Sequence, residues 1–340
     1  MSGGVDSSVA ALLLQRQGWD VVGVTLHLWD YVREGHAGRC CAPEDQYDAA
    51  RVCEALGVPH YTFDRRALFR ETVVAPFLEE YLQGRTPSPC VRCNEGIKFG
   101  PLWDLARRLG ASHIATGHYA RVAPTAEGVD LRRGTDPARD QSYFLWAAPL
   151  EALRALVLPV GTYAKDALRA VAWEAGLAVA RKPDSTDLCF LEGRSYKEFV
   201  QSHGPERVRG GTVETLEGAV LERHAGLHGF TVGQRRGVGP SGAPRYVLRI
   251  VPETATVVVG EAAEASTNRV TVSQVRWLAA PTEALEVRLR YRAPTQPARV
   301  VRALGPTLEL ALSNPQRGVA PGQAAVFYDG DRVLGGGWIQ

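Results

Sequence analysis

The first third of the chain alternates between stretches with helical spacing of apolar residues and short apolar runs. The helical pattern covers residues 9–17, 44–56, 67–81 and 99–109. The short runs, which predict buried strands, cover residues 20–26, 60–63 and 113–116. This alternation predicts an α/β fold with a doubly wound parallel sheet, in which ligands bind beyond the carboxyl ends of the strands. We therefore expect the loops at 2–8, 26–41 and 116–119 to meet at that edge.

The pattern changes near residue 193, where glycine and arginine become frequent and short strands with turns are predicted over 213–250. Further strands of alternating polarity are predicted at 270–275, 286–291, 298–301, 307–312 and 324–328. These strands favour a small antiparallel β-barrel or sandwich at the C-terminus. We expect three domains: a parallel-sheet domain (1–192), a small β-rich central domain (193–262) and a C-terminal β-barrel (263–340).

The composition is that of an ordinary globular protein with two or three domains. The 340 residues are 45% hydrophobic and 22% charged, and the formal net charge is +2. Such a balance gives no global basic field that would indicate a nucleic-acid partner. No apolar run has the length of a membrane span and nothing resembles a signal peptide, so we expect a cytoplasmic protein without a membrane partner.

A loop rich in glycine and serine stands directly before the first predicted helix. Its residues are Ser2, Gly3, Gly4, Val5, Asp6, Ser7 and Ser8. The glycines allow a tight turn whose N–H groups point at one anion, and the hydroxyls and the helix N-terminus add to the attraction. The Gly-Lys-Ser/Thr ending of a Walker loop is missing. The pattern is similar to the pyrophosphate loop of enzymes that split ATP into AMP and pyrophosphate. A glycine turn that only caps the helix is the alternative.

Two further features of this loop concern Asp6 and the residues before it. Asp6 could orient the loop, help to bind Mg²⁺ or cap the helix. A phosphate loop of this kind normally follows a buried strand, yet only Met1 precedes Ser2. We therefore expect a start that is truncated or misassigned, and a sheet without that strand is the alternative.

Six cysteines favour thiolate chemistry or metal binding over a disulfide framework. They are Cys40, Cys41, Cys53, Cys90, Cys93 and Cys189. Two prolines and a glycine around Cys90 and Cys93 argue against a continuous helix, so we expect both on an ordered loop before the 99–109 helix. Arg92 and Lys98 nearby favour thiolate. One thiolate can carry a persulfide, and a second can release its sulfur by forming a disulfide with the first.

A zinc half-site is the structural alternative for Cys90 and Cys93. A zinc site needs four ligands, and the second pair that it would use, Cys40 and Cys41, consists of adjacent residues with poor chelating geometry. Cys53 lies on the apolar side of the 44–56 helix and is predicted to be part of the core.

Seven motifs follow one another along the whole chain. They are S-G-G-V-D-S-S at 2–8, C-C-A-P-E-D at 40–45, G-R-T-P-S-P-C-V-R-C-N at 84–94, A-T-G-H-Y at 115–119, R-D-Q-S-Y-F-L at 139–145, K-P-D-S-T-D-L-C-F at 182–190 and P-G-Q-A-A-V-F-Y-D-G at 321–330. In this order the motifs resemble the tRNA-specific 2-thiouridylase family.

The resemblance implies an ATP pyrophosphatase domain, a central domain that contacts tRNA and a C-terminal barrel that helps to bind it. It implies that ATP, with Mg²⁺, adenylates O2 of the wobble uridine and releases pyrophosphate. A persulfide sulfur then attacks C2, and AMP leaves. The implied partners are the anticodon stem–loops of tRNAs for Lys, Glu and Gln, and an upstream sulfur donor protein.

The resemblance also implies roles for individual residues. Cys93 would be the nucleophile and Cys189 the persulfide carrier, while loop 2–8 would hold the phosphates. Leu26 and Gly117 would border the adenosine through backbone contacts. The residues expected to approach the target base are Ser88, Pro89 and Cys90. The residues expected to touch tRNA are His118, Arg139, Asp140, Gln141, Arg290, Tyr291 and Gln323.

Physical arguments leave alternatives for two of these assignments. Arg288, Arg290 and Arg292 alternate along a predicted strand, where they would share one face and meet phosphates. A solvated edge strand is the alternative. For His118, the alternative is a structural histidine held by hydrogen bonds.

Cys90 leaves two routes open for the sulfur, because some family members carry Asp at this position. Together with Cys93 and Cys189 it could hold an iron–sulfur cluster whose open iron binds a sulfide. The persulfide route needs only Cys93 and Cys189, and we favour it. Three other functions stay open: thiolation of another tRNA base, a small-molecule ligase with the same loop, and a non-catalytic RNA-binding module.

Overall fold

The computed structural model describes residues 1–30, 43–126, 128–184, 187–191, 193–238 and 244–340. Cys40 and Cys41, the second pair of the zinc interpretation, lie outside these ranges. The chain divides into two compact units. The first, called here the α/β unit, comprises Met1–Thr72, Cys90–Gly193 and Asp331–Val333. The second, the β unit, comprises Val73–Pro89, Arg194–Gly330 and Leu334–Gln340.

Helices are present at the four stretches predicted, 9–17, 44–56, 67–81 and 99–109, and further helices lie outside these ranges. In chain order they are α1 (Val5–Arg16), α2 (Pro43–Leu56), α3 (Arg66–Phe69), α4 (Ala75–Leu82), α5 (Pro89–Cys93), α6 (Pro101–Arg108), α7 (Leu150–Arg154), α8 (Lys165–Glu174) and α9 (Tyr196–His203). Wider π-helical turns cover Arg70–Val74, between α3 and α4, and Asn94–Phe99, between α5 and α6. Within the described residues, no helix combines the length and the apolar character that crossing a membrane requires.

The strands of the first half are short and those of the second half are longer. They are β1 (Gly23–His27), β2 (His60–Asp64), β3 (Ile114–Ala115), β4 (Ala120–Pro124), β5 (Val129–Arg133), β6 (Leu156–Val157), β7 (Gly211–Glu214), β8 (Val220–His224), β9 (Tyr246–Val251), β10 (Thr256–Gly260), β11 (Ser266–Trp277), β12 (Ala284–Arg288), β13 (Gln296–Leu304), β14 (Thr307–Arg317), β15 (Ala324–Asp329) and β16 (Arg332–Ile339).

The α/β unit contains the predicted parallel pairing. β1 pairs with β2 from Gly23 opposite His60 to His27 opposite Asp64, and β3 pairs with β6, both in parallel. α1 packs against α8, because Val9 of α1 and Leu168 of α8 are both fully buried in one core. Full burial of such a side chain stabilises the fold by about 1.5–3 kcal/mol. The predicted α/β class is confirmed.

The β unit holds a four-stranded sheet in the order β8-β7-β10-β9 and a closed barrel. The barrel runs β11-β14-β13-β12-β15-β16, and antiparallel pairing of β11 with β16 closes it. Val272, Val287, Leu310 and Phe327 fill its interior with no exposed surface. The predicted C-terminal barrel is confirmed.

The prediction that Cys90 and Cys93 lie on a loop is wrong, because both belong to α5 and the π-helical turn follows at once. Pro89 is the first residue of α5, where its missing N–H would have had no partner within the helix. Gly96 allows close packing, since a Cβ there would lie 2.5 Å from Cγ2 of Thr72. Proline and glycine therefore start and pack this helical segment instead of breaking it.

The prediction that Arg288, Arg290 and Arg292 share one strand face is also wrong. β12 ends at Arg288, and the Ala293 N–H donates to the Arg290 carbonyl (3.0 Å) in a turn. Pro294 follows this turn and has no N–H for a strand ladder.

β16 closes the barrel although its pattern did not predict a strand. Its glycines weaken the alternation of side chains, but the packing requires them. A Cβ on Gly335 would lie 2.2 Å from the Arg276 carbonyl oxygen, and one on Gly337 would lie 2.6 Å from Cγ1 of Val272. The close packing of β16 on β11 requires glycines, and glycines give no alternation of apolar side chains from which a strand could be predicted.

Candidate active site

The loop at Ser2–Ser8 is held in a turn by its own serines. The Ser2 N–H donates to Ser7 Oγ (3.1 Å), and the two hydroxyl oxygens of Ser2 and Ser7 lie 3.0 Å apart. The hydroxyls of Ser7 and Ser8 donate to the Gly4 carbonyl (3.2 and 2.9 Å). α1 begins at Val5, and its N-cap residue, Gly4, has no side chain to bond the first amides of the helix. The first amides of the helix, which have no partner within it, are therefore at hand for an anion.

Glycine is required at two positions around this loop. Gly3 has φ +68°, and a Cβ there would lie 2.2 Å from the carbonyl oxygen of Asp45. A Cβ on Gly117 would lie 2.6 Å from the Asp6 carbonyl carbon and 2.7 Å from the Ser7 nitrogen. The predicted meeting of the 2–8 and 116–119 loops is confirmed. Leu26, in β1, is partly exposed, and much of the predicted 26–41 loop lies outside the described residues.

Asp6 is held by two partners. Lys165 Nζ lies 2.7 Å from Asp6 Oδ1, and the Tyr119 hydroxyl donates to the same oxygen (2.8 Å). Burial, followed by the nearby Asp6 charge, raises the pKa of Tyr119, so this hydroxyl stays a donor. Lys165 is only 6% exposed and is the first residue of α8, where the helix dipole disfavours a cation. Its position is therefore set by the carboxylates around it.

Asp184 is the centre of a cluster of cations. Its Oδ1 lies 2.7 Å from Lys165 Nζ and 2.8 Å from the Arg169 guanidinium, and its Oδ2 lies 2.7 Å from Arg139. Burial opposes ionisation of Asp184, but the hydrogen bond from Lys165 and the three positive charges outweigh burial and lower its pKa. Asp184 is thus a carboxylate that links Lys165 to two arginines.

Lys182 makes a second connection near the loop. Its Nζ lies 2.5 Å from both Asp45 Oδ1 and Asp48 Oδ2 of α2. Burial disfavours the ammonium ion, yet the hydrogen bonds from Lys182 to both carboxylates raise its pKa above the ordinary value. Because the backbone of Asp45 also faces Gly3, Lys182 ties the K-P-D motif to the side of the phosphate loop.

The two cysteines of α5 differ in accessibility. Cys90 is exposed, while Cys93, at the end of the same short helix, is 8% exposed. Asn94 Nδ2 donates to the Phe144 carbonyl (3.0 Å) and anchors the turn that follows Cys93. Cys53 is fully buried on α2, which confirms its predicted place in the core.

Cys189 lies in a short turn with intermediate exposure. The Leu191 N–H donates to the Leu188 carbonyl (3.1 Å), and Phe190 is buried. The Phe190 ring packs edge-on against Phe69 (5.8 Å between centroids) and Trp29 (6.3 Å). These contacts anchor the residue next to the thiol.

The arrangement does not fit a three-cysteine cluster. Across the described parts of the chain, which include Cys90, Cys93 and Cys189, no three His, Cys, Asp or Glu side chains come together to hold one metal ion. The same holds for the carboxylates near the loop, where Asp6 instead bonds Lys165 and Tyr119. We therefore derive no step through a cluster or a protein-held metal.

Several predicted tRNA contacts make internal contacts in the α/β unit. His118 Nδ1 pairs with Thr116 Oγ1 (2.8 Å), and burial, then the charge of Lys98, lowers the pKa of His118 to about 3. Asp140 is 4% exposed, and its Oδ1 accepts from the backbone N–H groups of Gly134 and Ser142 (3.2 and 3.1 Å). Both side chains support loop geometry around the site.

Gln141 and Arg139 are also engaged. Gln141 Oε1 accepts from the Tyr119 N–H (2.9 Å), and Arg139 pairs with Asp184 as described above. Gln141 thus contacts Tyr119 and Arg139 contacts Asp184, and both of these residues belong to the network around Asp6. Their predicted contact with tRNA stays a prediction.

The β unit holds the remaining predicted contacts. Ser88 and Pro89 are buried, and Gln323 Nε2 donates to the carbonyls of Thr86 and Pro87 (3.0 Å each). Gln323 therefore holds the segment that leads into Ser88 and Pro89. Elsewhere in this unit Arg290 is exposed and Tyr291 partly exposed, in the turn that follows β12.

Sequence reasoning missed the side chains that surround the loop: Tyr119, Lys165, Lys182 and Asp184. The scarcity of lysine was the one available signal: the chain has only four lysines, and two of them, Lys165 and Lys182, lie here. Lys165 stands in none of the seven motifs, however, and its spacing gives no hint that α8 returns to α1.

Three family comparisons cover most of the chain. Residues 1–193 match the family described as "tRNA methyl transferase HUP domain". Residues 197–261 match "tRNA methyl transferase PRC-barrel domain", and residues 267–339 match "Aminomethyltransferase beta-barrel domain".

Curated relatives match over the full chain. A protein of Rhodospirillum centenum is 49% identical over 352 residues, covering 100% of this chain and 90% of the relative. Proteins of Sorangium cellulosum and Zymomonas mobilis are 48% and 45% identical, each over 100% of this chain and over 91% and 92% of the relative. All three are named tRNA-specific 2-thiouridylase MnmA.

Proposed function

Because the chain belongs to the tRNA-specific 2-thiouridylase family, we propose that it is a tRNA-uridine 2-sulfurtransferase that acts on the wobble uridine. One observation carries this proposal: a phosphate loop closed by Gly3 lies in the same compact unit as Cys93 and Cys189. A ligase that uses the loop alone would need neither cysteine. The substrate, tRNA, points to the cytoplasm as its place of action.

The first step is adenylation. The phosphates of ATP bind at Ser2–Ser8. Mg²⁺ would be held chiefly by those phosphates and by water, and would stabilise the negative charge that develops there. Uridine O2 attacks the α-phosphorus, the bond to the β-phosphate oxygen breaks, and pyrophosphate leaves. The unpaired anticodon base reaches the site at modest cost, because it is not stacked in a duplex.

The second step is sulfur transfer. A donor protein passes a sulfane sulfur to Cys189, and the terminal sulfur of this persulfide attacks C2 of the activated base, so that AMP leaves. The Cys93 thiolate then attacks Sγ of Cys189, which frees the thiocarbonyl sulfur and forms a Cys93–Cys189 disulfide. The two electrons that reduce the sulfane sulfur come from these two thiols. A thiol reductant restores them before the next turnover.

The three predicted domains have matching roles in this proposal. Residues 1–192 adenylate and thiolate, residues 193–262 and 263–340 bind tRNA, and the Ser88–Cys90 segment approaches the base. The family matches at 1–193, 197–261 and 267–339 support these boundaries. The description of the first match names methyl transfer, whereas a loop that holds pyrophosphate favours adenylation.

Single-turnover assays of cysteine variants test the proposal. Cys93→Ser and Cys189→Ser should still release pyrophosphate when ATP and unmodified tRNA are added, but should form no 2-thiouridine. Cys53→Ala, in the core of the same unit, serves as the matched control and should keep both activities. Retention of 2-thiouridine formation by either serine variant would refute the persulfide route. Iron in the native protein, lost together with thiolation in Cys90→Ala, would favour the cluster route instead.

A further inference from the structure

One short segment, Ala180–Asp184, lies between α8 and the turn that carries Cys189. We call it the anchor segment. The Arg169 guanidinium of α8 donates to the backbone carbonyls of Ala180 and Lys182 (2.8 and 2.9 Å), so the first part of the segment is attached to that helix. Cys189 follows Asp184 by only five residues. The anchor segment is therefore well placed to set where the thiol lies.

The anchor segment meets the phosphate loop through two lysines. Asp184 contacts Lys165, and Lys165 contacts Asp6 of the loop, each at 2.7 Å. Lys182 contacts Asp45, whose backbone closes over Gly3. Both the start of the loop and the start of α1 are thus joined to one segment.

The charges in this arrangement respond to an anion. Lys165 is buried, so its interactions are weakly screened, and its ammonium group is shared between Asp6 and Asp184. A phosphate bound beside Asp6 attracts the ammonium and repels that carboxylate. The Arg139 and Arg169 contacts keep Asp184 an ion when Lys165 shifts toward the phosphate. The loss of the Lys165 contact therefore changes the position of Asp184, at the end of the segment.

We propose that Asp184 is a positioning residue that couples ATP in the phosphate loop to the placement of Cys189, with Lys165 as the link. The inference rests on the proposed function, because it takes ATP as the occupant of the loop and Cys189 as the sulfur carrier. Its consequence is that the thiol is brought into place only when a nucleotide is bound to activate the base.

Alkylation of reduced protein tests this coupling. The rate at which iodoacetamide labels Cys189, followed by peptide mass spectrometry, should change about fivefold or more when ATP is added without tRNA, which is the ordinary range of coupling between two sites. Asp184→Asn should lose this response, and Asp184→Glu should restore part of it. A variant whose loss is only structural would label faster with and without ATP, but the ratio of the two rates would remain.

The control is Asp331→Asn, which also removes a carboxylate paired with two arginines but lies outside the cluster around Asp6. It should respond to ATP as the native protein does. If Asp184→Asn does not fold, hydrogen exchange at residues 187–191 of the native protein, with and without ATP, replaces it, and a change on binding is expected. If the native protein binds ATP and its rate changes in neither test, the coupling alone is overturned. Failure of the native protein to bind ATP would overturn the proposed function as well.

Discussion

At the scale of single residues, the site depends on close contacts that a sequence pattern only partly reveals. The glycines of the phosphate loop were predictable, because a turn around an anion needs them. The partners of that loop were not, since Lys165 reaches Asp6 only through the packing of α8 on α1. The family resemblance implies that His118 contacts tRNA. Its low pKa and its hydrogen bond with Thr116 depend on neighbours that only the structure brings together.

Gly3→Ala should weaken ATP binding without unfolding the protein. The new Cβ would combine a left-handed φ of +68° with a 2.2 Å approach to Asp45, a strain of about 1–3 kcal/mol. The loop relieves this strain by leaving the geometry that binds ATP, and binding then has to restore the strain. Since 1.4 kcal/mol is tenfold in affinity, the Kd for ATP should rise about tenfold or more in calorimetry. Gly18→Ala is the matched control, because Gly18 has φ +83° but open space around its Cβ. Equal ATP affinity in both variants would contradict this account of the loop.

His118 should make the fold sensitive to acid. Its pKa is about 3 in the folded protein against an ordinary value of 6.5, so between these values the unfolded chain takes up a proton that the folded chain does not. The free energy of unfolding therefore falls as the pH drops through this window. His118→Gln should show a shallower fall in denaturant titrations over that range. The same slope in the native protein and the variant would show that His118 does not contribute.

At the scale of elements, four helical stretches and five of the six barrel strands followed from periodicity, and the failures have local causes. Proline and glycine next to Cys90 and Cys93 predict a loop, because both residues commonly break helices, whereas Pro89 starts α5. The strand predicted at 286–291 runs past the end of β12 at Arg288, because the alternation of arginines continues into a turn. Both errors concern residues whose effect depends on their position within the element.

Gly96→Ala should destabilise the helical segment behind Cys93. The added Cβ would lie 2.5 Å from Cγ2 of Thr72, and overpacking of this kind costs about 1–3 kcal/mol. Thr72→Ser removes that methyl group and keeps the hydroxyl, so the double variant should recover most of the lost stability. Urea denaturation of the two single variants and the double variant measures the coupling. Simple additivity would mean that the two positions do not touch.

At the scale of the whole molecule, a stretch from the far end of the sequence completes the α/β unit. Arg332 pairs with Arg132 of β5, and Asp331 accepts from Arg121 and Arg132 at 2.6 and 2.8 Å. Nothing in the spacing of polar residues predicts that Asp331–Val333 belong to the α/β unit. Contacts between residues so far apart in the sequence cannot be predicted from periodicity.

Asp331→Asn should reduce stability in a manner that depends on salt. Burial raises the pKa of Asp331, but the hydrogen bond from Arg121 and the charges of Arg132 and Arg121 outweigh it and lower the pKa. Partly exposed ion pairs of this kind contribute up to about 1 kcal/mol each, and salt screens them. Thermal unfolding should show a deficit at low ionic strength that shrinks at high ionic strength. A deficit that does not vary with salt would contradict an electrostatic role.

We propose that the phosphate loop and the two cysteines serve one reaction, and nucleoside analysis is the direct test of this proposal. Unmodified tRNA would be incubated with the reduced protein, Mg·ATP and a persulfide donor, then digested and analysed by mass spectrometry. We expect 2-thiouridine at the wobble position and AMP in equal amount. A methylated base, or AMP formed without any thiolated nucleoside while Cys189 carries sulfur, would contradict the proposal.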